Sequence, residues 1–239
     1  MKVYVKSAVQ SFSDMSWKDR IAFAEDPDTP SEVLLELISD ESTVVNDYIA
    51  SHPNASEEVL NKLIEVGDTS TLRTIALSGY TPSSILNKLA DNPYYGVRQS
   101  VACHPNTKLK TLKKMVKNSD EYEVLKGAAT NPNADKSLLM TIAEKNYDVI
   151  PYILDNPNAD HSFLEEMARH PNRFIRAMLA ECHDITDDIM EILSNDSDYR
   201  VRWCLAENRE LPLEILQRLS EDPNEDVSFE ARYQLRHKR

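Results

Sequence analysis

The sequence is poor in glycine, in cysteine and in long apolar runs, and each shortage narrows the range of folds. Its 239 residues include 4 glycines and 3 cysteines. Scarce glycine beside abundant leucine, alanine, glutamate and lysine favours helices over strands. An odd number of widely spaced cysteines is typical of free thiols in a reducing compartment. No apolar run in the sequence reaches the length needed to span a bilayer.

Positive charge is also in short supply. The chain has 27 Lys and Arg against 40 Asp and Glu, for a net charge of −13. This balance argues against a protein that wraps duplex nucleic acid, because phosphate contacts need a basic surface, and against anionic membranes. The N-terminal residues contain no apolar core of a cleaved signal peptide. The composition therefore predicts a cytoplasmic protein without a membrane partner.

A short polar tripeptide punctuates the chain at a nearly constant interval. It reads Asn-Pro-Asn or His-Pro-Asn, and its degenerate copies keep the spacing of 25 to 27 residues between successive central positions. The central positions are Pro27, Pro53, Tyr80, Pro105, Pro132, Pro157, His183 and Arg209. A fixed period of this length is the signature of a tandem-repeat architecture.

Apolar patterns on both sides of each tripeptide predict two helices per repeat. After the tripeptide, apolar residues recur at i, i+1, i+4 and i+5, as in Val59, Leu60 and Leu63, which marks one face of a helix. The central proline ends the preceding helix, because it disfavours helical torsions in the residue before it. Thr29-Pro30-Ser31-Glu32 resembles a helix start with a capping threonine. Each repeat is thus predicted as helix A, proline turn, helix B and acidic turn.

The block before the turn, exemplified by Val97-Arg98-x-x-Val101-Ala102, together with the turn and the following Leu-x-x-Leu, resembles the variant leucine-rich repeat, which is similar in style to HEAT-like solenoids. The resemblance covers residues 17–226. It implies an all-α, right-handed α-solenoid of about eight two-helix repeats of about 26 residues. We expect one repeat domain over residues 1–239, with an N-terminal cap (1–16) and a C-terminal capping helix (227–239). Some family members carry an iron–sulfur cluster in an N-terminal cysteine-rich segment, but the first cysteine here is Cys103, so we expect no cofactor.

Arginine recurs seven residues before the centre of the turn. A row of arginines could grip carboxylate or phosphate ligands, or it could pair with the acidic turns that precede each helix A. We favour the second interpretation, a structural ladder that joins neighbouring repeats. Its members are Arg20, Arg73, Arg98, Arg176 and Arg202.

Aromatic residues recur at the start of helix A. Such a row could stack bases or hold a peptide. The residue five positions later is usually small where the aromatic is present and large where it is absent, which favours packing at the helix start. The aromatics are Trp17, Tyr95, Tyr122, Tyr147 and Tyr199.

The sequence lacks the common motifs of catalysis and metal binding. It contains no glycine-rich phosphate loop, paired-cysteine knuckle or zinc-protease helix motif. His161 with Glu165 supplies only two potential ligands on one helix. In Cys182-His183-Asp184 adjacent side chains point in different directions, so they do not form a triad. We therefore predict a protein that is not an enzyme and holds no metal.

A repeated framework with varying exposed positions is typical of a recognition scaffold. We expect a non-catalytic scaffold, monomeric or weakly self-associating, that binds another protein or a peptide in the groove of the solenoid. Two alternatives stay open: a HEAT-like solenoid that binds nucleic acid, which the acidic balance disfavours, and a self-assembling structural protein. The candidate partner-binding residues are Lys62, Lys113, Lys114, Glu166 and Arg218 on helix B and Trp203 on helix A.

Overall fold

A computed structural model describes residues 15–38 and 42–237 of the chain. Over these ranges the residues form helices joined by short turns, with no strand. The chain divides into two compact units, Met1–Lys117 and Asn118–Arg239. Most of the predicted N-terminal cap lies outside the described residues, as do Lys238 and Arg239 of the C-terminal helix. The single domain over 1–239 stays a prediction.

The first unit is built from four consecutive pairs of helices, each pair being one predicted repeat. Within its described part the helices are α1 (Trp17–Glu25), α2 (Ser31–Leu37), α3 (Thr43–Ala50), α4 (Glu57–Val66), α5 (Thr69–Leu77), α6 (Ser83–Leu89), α7 (Tyr95–Cys103) and α8 (Leu109–Asn118). Helices A pack in series, α1 on α3, α3 on α5 and α5 on α7.

The second unit contains four further pairs and one additional helix A. Its described helices are α9 (Tyr122–Thr130), α10 (Lys136–Lys145), α11 (Ile150–Leu154), α12 (His161–Ala168), α13 (Arg173–Glu181), α14 (Asp187–Ser194), α15 (Tyr199–Glu207), α16 (Leu213–Leu219) and α17 (Glu225–His237). A 3-10 turn at Tyr147–Val149 leads into α11. Again helices A pack in series, α13 on α15 and α15 on α17. The all-α solenoid of two-helix repeats is confirmed.

A histidine that opens the tripeptide bonds to the preceding repeat. His104 Nε2 lies 2.9 Å from the carbonyl oxygen of Ser78, and the Nδ1 of the same ring lies 3.0 Å from the backbone nitrogen of Asn106. Because a backbone N–H can only donate, Nδ1 is unprotonated and Nε2–H donates to the carbonyl. His52 makes the same two contacts, with Asp26 and Asn54.

Asparagine at this position makes equivalent bonds. Asn156 Nδ2 donates to the carbonyls of Ala129 and Asn131, at 2.6 and 2.8 Å, while Oδ1 accepts from the backbone N–H of Asn158 at 2.9 Å. Asn208, which opens the last tripeptide, makes the same bonds: Nδ2 donates to the carbonyls of Ala180 and Cys182, and Oδ1 accepts from the backbone N–H of Glu210. Histidine and asparagine are thus interchangeable, because each offers an acceptor to its own turn and a donor to the preceding one.

The asparagine that closes the tripeptide adds a second bond in the same direction. Asn54 Nδ2 donates to the carbonyls of Pro27 and Thr29, at 2.9 and 3.1 Å. Asn158 Nδ2 donates to the carbonyls of Pro132 and Ala134, at 3.0 and 2.9 Å. We call these two rows of contacts the turn zipper. In each of these contacts between repeats, a side-chain N–H donates to a backbone carbonyl of the preceding repeat.

The third repeat is in a different register from the one the sequence spacing suggested. Thr81 and Thr107 each donate a hydroxyl hydrogen bond to the carbonyl six residues earlier, at 2.6 Å, so Gly79 occupies the position of Pro105. Leu72 then stands at the arginine position and is buried. Arg73 follows it, exposed, and does not occupy the position of the other four ladder residues.

Threonine after the proline ends a helix instead of starting one. Thr29 Oγ1 donates to the carbonyl of Phe23 at 2.6 Å, which ties down the last turn of α1. Helix α2 begins after Pro30 without a side-chain cap. The capping role predicted for Thr29 is therefore wrong, because its hydroxyl is committed to the preceding helix.

The ladder arginines join two successive turns that precede helix A. Arg176 donates through Nη1 to the carbonyl of His170 at 2.6 Å, and through Nε and Nη2 to both carboxylate oxygens of Asp196, at 2.6 and 3.0 Å. Arg202 does the same with the carbonyl of Asp196 and the carboxylate of Asp222.

The other ladder arginines are described less completely. Arg98 donates to the carbonyls of Asn92 and Pro93, in the turn before its own helix. Arg20 is half-buried on α1, and the acidic residues Asp40 and Glu41 lie outside the described residues. Where a carboxylate partner is seen, the arginine reaches forward to the next repeat rather than back to the previous one.

We expect Asn156→Asp to lower the free energy of unfolding by about 2–4 kcal/mol. The change keeps the shape of the side chain but replaces an NH₂ donor with an oxygen that faces the carbonyls of Ala129 and Asn131. Asn156→His, the residue found at this position in other repeats, is the control and should cost much less. Urea unfolding followed by circular dichroism measures both. Equal losses in the two variants would contradict the role assigned to the turn zipper.

The Arg202–Asp222 pair predicts a loss of stability in acid. Hydrogen bonds from Arg202 lower the pKa of Asp222, against the effect of its burial. The contribution of the pair is therefore present above the unfolded-state value of about 3.9 and is lost as the pH falls through the lower folded-state value. Asp222→Asn should cost about 3 kcal/mol at neutral pH and progressively less below about pH 4. Urea unfolding across this range, with the exposed Glu214→Gln as control, measures the difference; a constant gap would contradict it.

Candidate functional site

A groove of about 680 Å³ lies on the second unit, across the outward faces of its last helices A. It extends from Tyr147 in the 3-10 turn, over α13 and α15, to α17. We call it the A-helix groove. Its lining residues are Tyr147, Arg173, Phe174, Ala177, Met178, Glu181, Tyr199, Arg200, Trp203, Cys204, Asp226, Phe229 and Glu230.

Helical periodicity explains why these residues share one face. On α13 the residues Ile175 and Leu179 point into the core and are fully buried. The lining residues Phe174 and Met178 are spaced i, i+4 on the same helix, and Arg173 and Ala177 stand beside them. A stripe with this spacing lies along one side of a helix. Helices α15 and α17 contribute equivalent stripes, so the groove crosses several helices of the rigid framework.

Aromatic rings form much of the groove surface. Tyr147 and Phe174 are stacked, with ring centroids 5.6 Å apart and planes 17° from parallel, although they belong to successive repeats. Trp203 is 36% exposed and Phe229 is 71% exposed. Exposed aromatic clusters of this kind mark interaction sites more often than chance would allow.

The helix-start aromatics do not behave as one group. Tyr147 and Tyr199 line the groove, whereas Tyr122 stands edge-on to Tyr152 at 6.4 Å. Trp17 and Tyr95, at 57% and 64% exposed, are not covered by packing. Both residues are largely exposed in the first turn of helix A, which does not support the packing interpretation for them.

The positive charges of the groove are held by one carboxylate. Asp198 Oδ2 lies 3.4 Å from Arg173 Nη1 and 3.9 Å from Arg200 Nη1. The backbone N–H of Arg200 and the charges of the two guanidinium groups lower the pKa of Asp198. The guanidinium groups also lie over the rings of Phe174 and Tyr199, 4.9 and 5.0 Å from the centroids. Both arginines are thus engaged within the unit.

The carboxylates at the other side of the groove are held differently. Glu181 accepts a hydrogen bond from Cys204 Sγ at 3.2 Å, and Glu230 accepts one from Gln234 Nε2 at 2.7 Å. Glu207 lies near both: burial raises its pKa, and the charges of Glu230 and Glu181 raise it further. Over the described ranges no lysine, arginine or histidine forms an ion pair with these three glutamates. The groove is therefore aromatic and acidic.

The structure brings only one of the six sequence-derived candidates into the groove. Trp203 lines it from α15, while Glu166 on α12 and Arg218 on α16 are not among its lining residues. Arg218 donates to Glu191 at 2.7 Å and to Ser194 at 2.6 Å. A role for the helix B residues in partner binding stays a prediction.

The three lysine candidates belong to the first unit. Lys62 lies on α4, 3.3 Å from Glu65, and Lys114 on α8 forms an ion pair with Asp91. Lys113 is exposed beside it on α8. Sequence analysis missed Phe174, Phe229, Glu181 and Glu230, although an aromatic at the second or fifth position of helix A was visible in the sequence.

The histidine pairs and the two buried cysteines make contacts within the fold. His161 Nε2 is 3.8 Å from Glu165, and His170 uses Nδ1 to accept the N–H of Asn172 within a turn. The described ranges contain no group of three or more His, Cys, Asp or Glu side chains placed to hold a metal ion. Burial, with the charges of Glu181 and Asp184, raises the pKa of Cys182 to about 12, so this thiol is not activated. Among the described helices, none has the length and apolar character of a membrane span.

Comparison with known proteins supports the fold. A leucine-rich repeat variant with a novel repetitive structural motif matches over 93% of this chain and 78% of its own, with 21% identity and a TM-score of 0.50. A designed armadillo repeat protein in complex with the peptide (KR)4 matches over 93% of this chain and 91% of its own, with 18% identity, but its TM-score of 0.18 is too low to support an argument. No protein-family model and no curated protein matches the chain.

We expect maleimide to label one of the three cysteines in the native protein. Cys103 is exposed, whereas Cys182 and Cys204 are buried. Burial, followed by the hydrogen bond and charge of Glu181, raises the pKa of Cys204 to about 12, so little reactive thiolate forms. Peptide mapping after brief labelling should find Cys103 alone, and all three sites after urea treatment. Rapid native labelling of Cys204 would contradict the packing of α15 described above; Cys103→Ser is the control.

Proposed function

We propose that the protein is a non-catalytic, cytoplasmic scaffold that binds a peptide or a peptide segment of another protein in the A-helix groove. The observation that carries the proposal is the row of exposed aromatic side chains, from Tyr147 to Phe229, on consecutive helices of one unit. Aromatic residues on a rigid surface lose little conformational entropy on binding and commonly supply most of the affinity.

The framework beneath the groove supports this proposal. Arg176 and Arg202 connect the turns before α13, α15 and α17 through two-pronged contacts with buried carboxylates. Helices held in this way present their outer side chains with fixed spacing, so a ligand meets a prearranged surface. An extended peptide suits such a surface, because successive side chains can contact successive helices.

Nucleic acid is less well matched to the groove. Its two arginines are engaged by Asp198, and its remaining charged residues, Glu181, Asp226 and Glu230, are acidic. Phosphate groups would be repelled by this set, and the net charge of −13 adds to the repulsion.

Selection from a displayed library of random peptides tests the proposal. We expect the full chain to enrich peptides whose affinity falls about tenfold or more with Trp203→Ala, since the indole lies within the groove. Isothermal titration with the enriched synthetic peptides measures the change. Binding should also weaken with Phe174→Ala, which removes the neighbouring ring.

Two matched variants complete the test. Tyr95→Ala removes an exposed aromatic from the first unit, and Glu166→Ala alters a helix B candidate of the second unit. Both should leave the affinity unchanged. Enrichment that survives Trp203→Ala, or that depends on Glu166 instead, would overturn the assignment of the binding surface to the A-helix groove.

A further inference from the structure

The carboxylates of the second unit fall into two sets. Most of those that contact another side chain have a cationic partner: Arg176 with Asp196, Arg202 with Asp222, Arg218 with Glu191 and Lys145 with Asp120. The glutamates at the A-helix groove do not, although the surrounding helices carry arginines. In contrast to these paired carboxylates, Glu181 contacts a thiol and Glu230 contacts an amide, so the negative charge of both is left without a cation in the described part of the unit.

The two groove glutamates, Glu181 and Glu230, both lie near Glu207. Glu181 and Glu230 both raise the pKa of Glu207, and Glu181 lies within hydrogen-bond distance of Cys204 Sγ, in the groove wall. Negative charges gathered at one surface repel one another. A cation placed among them would relieve that repulsion.

The aromatic rings favour the same kind of ligand. Trp203 lies on α15 between Glu181 on α13 and Glu230 on α17 in the order of the packed helices, and Phe229 stands directly before Glu230. The face of an aromatic ring attracts a cation, tryptophan most strongly. The groove already shows this contact internally, since Arg173 and Arg200 lie over Phe174 and Tyr199.

We propose that the occupant of the A-helix groove is a basic peptide, with a lysine or arginine side chain lying against Trp203 and Phe229 and its charge facing Glu181 and Glu230. This inference rests on the proposed function and names the chemistry of the ligand. An acidic segment does not fit, because Asp198 already neutralises Arg173 and Arg200, the two arginines that line the groove among the described residues. A purely apolar segment would cover the glutamates without compensating their charge, which costs free energy.

Three fluorescein-labelled peptides of equal length test the proposal: alternating Ser and Lys, alternating Ser and Gln, and alternating Ser and Glu. Fluorescence anisotropy with the full chain measures their affinities. We expect the lysine peptide to bind about tenfold or more tightly than the glutamine peptide, and the glutamate peptide to bind least. The affinity of the lysine peptide should fall as salt is raised, because part of its binding is electrostatic.

Charge variants locate the interaction on the protein. The double variant Glu181→Gln with Glu230→Gln should lower the affinity for the lysine peptide by about tenfold, while leaving that for the glutamine peptide unchanged. The control is Asp187→Asn with Glu214→Gln, which removes the same charge from exposed positions on α14 and α16. Circular dichroism checks that all variants are folded.

The outcomes separate this inference from the proposed function. If peptides selected from the random library depend on Trp203 but bind equally well whatever their charge, the groove binds peptides and the basic-ligand inference is overturned. If the control charge variant weakens the lysine peptide as much as the groove variant does, binding is a property of the total charge, and the inference is again overturned. If no peptide of any charge depends on Trp203, the proposed function itself is overturned.

Discussion

Everything in this structure depends on the hydrogen bonds by which one turn holds the turn before it. Helices of five to thirteen residues, such as α11 and α17, bury too few side chains to be stable alone. Stacking of neighbouring repeats buries the remaining apolar side chains, but apolar contacts alone would allow the repeats to slide along one another. The imidazole of His104 and the amide of Asn156 prevent such sliding. Each accepts a hydrogen bond from a backbone N–H of its own turn and donates one to a carbonyl of the preceding repeat. The turn zipper thereby fixes the spacing of the helices.

The residues that hold the repeats together are different from those that face the groove. The zipper occupies the turns after helix A, and the arginine contacts occupy the turns before it. Neither uses the outward side of helix A, where Trp203 and Phe229 lie. These positions are free to change without loss of the framework, and the charges around them can be chosen for a ligand. The glutamates of the A-helix groove illustrate this, since they contribute no ion pair to the described part of the unit.

The sequence was sufficient to predict the helices and the repeat length, because each follows from a periodic pattern that local physics can interpret. The register of the third repeat was not predictable from proline, since Gly79 replaces it and Tyr80 follows. That single shift placed Arg73 in the ladder. It also made Ser70 and Ile75 the third repeat's example of an absent aromatic followed five residues later by a large side chain, whereas the structural register pairs Thr69 with Thr74. The apparent rule that a small residue follows an aromatic, and a large residue follows its absence, rested partly on this misalignment.

The groove was harder to predict for a different reason. Glu181, Trp203 and Phe229 are about one repeat apart in sequence, and only the packing of α13, α15 and α17 shows that they share a surface. Their residue types carry no motif, because binding by aromatic faces and carboxylates requires proximity rather than order. The roles of His52 and His104 were missed because their acceptors are carbonyls, which the sequence does not distinguish.

Hydrogen bonding to backbone carbonyls makes the contact between repeats independent of their side chains. A donor that ends on a main-chain oxygen finds the same acceptor whichever side chains the adjacent module carries: Asn106 donates to the carbonyls of Gly79 and Thr81, and Asn158 to those of Pro132 and Ala134. Modules joined in this way can be duplicated, deleted or exchanged during replication without creating a mismatched junction. The protein can therefore become longer or shorter by whole modules. New ligand preferences can arise when a module is copied and the residues on its outer face then change.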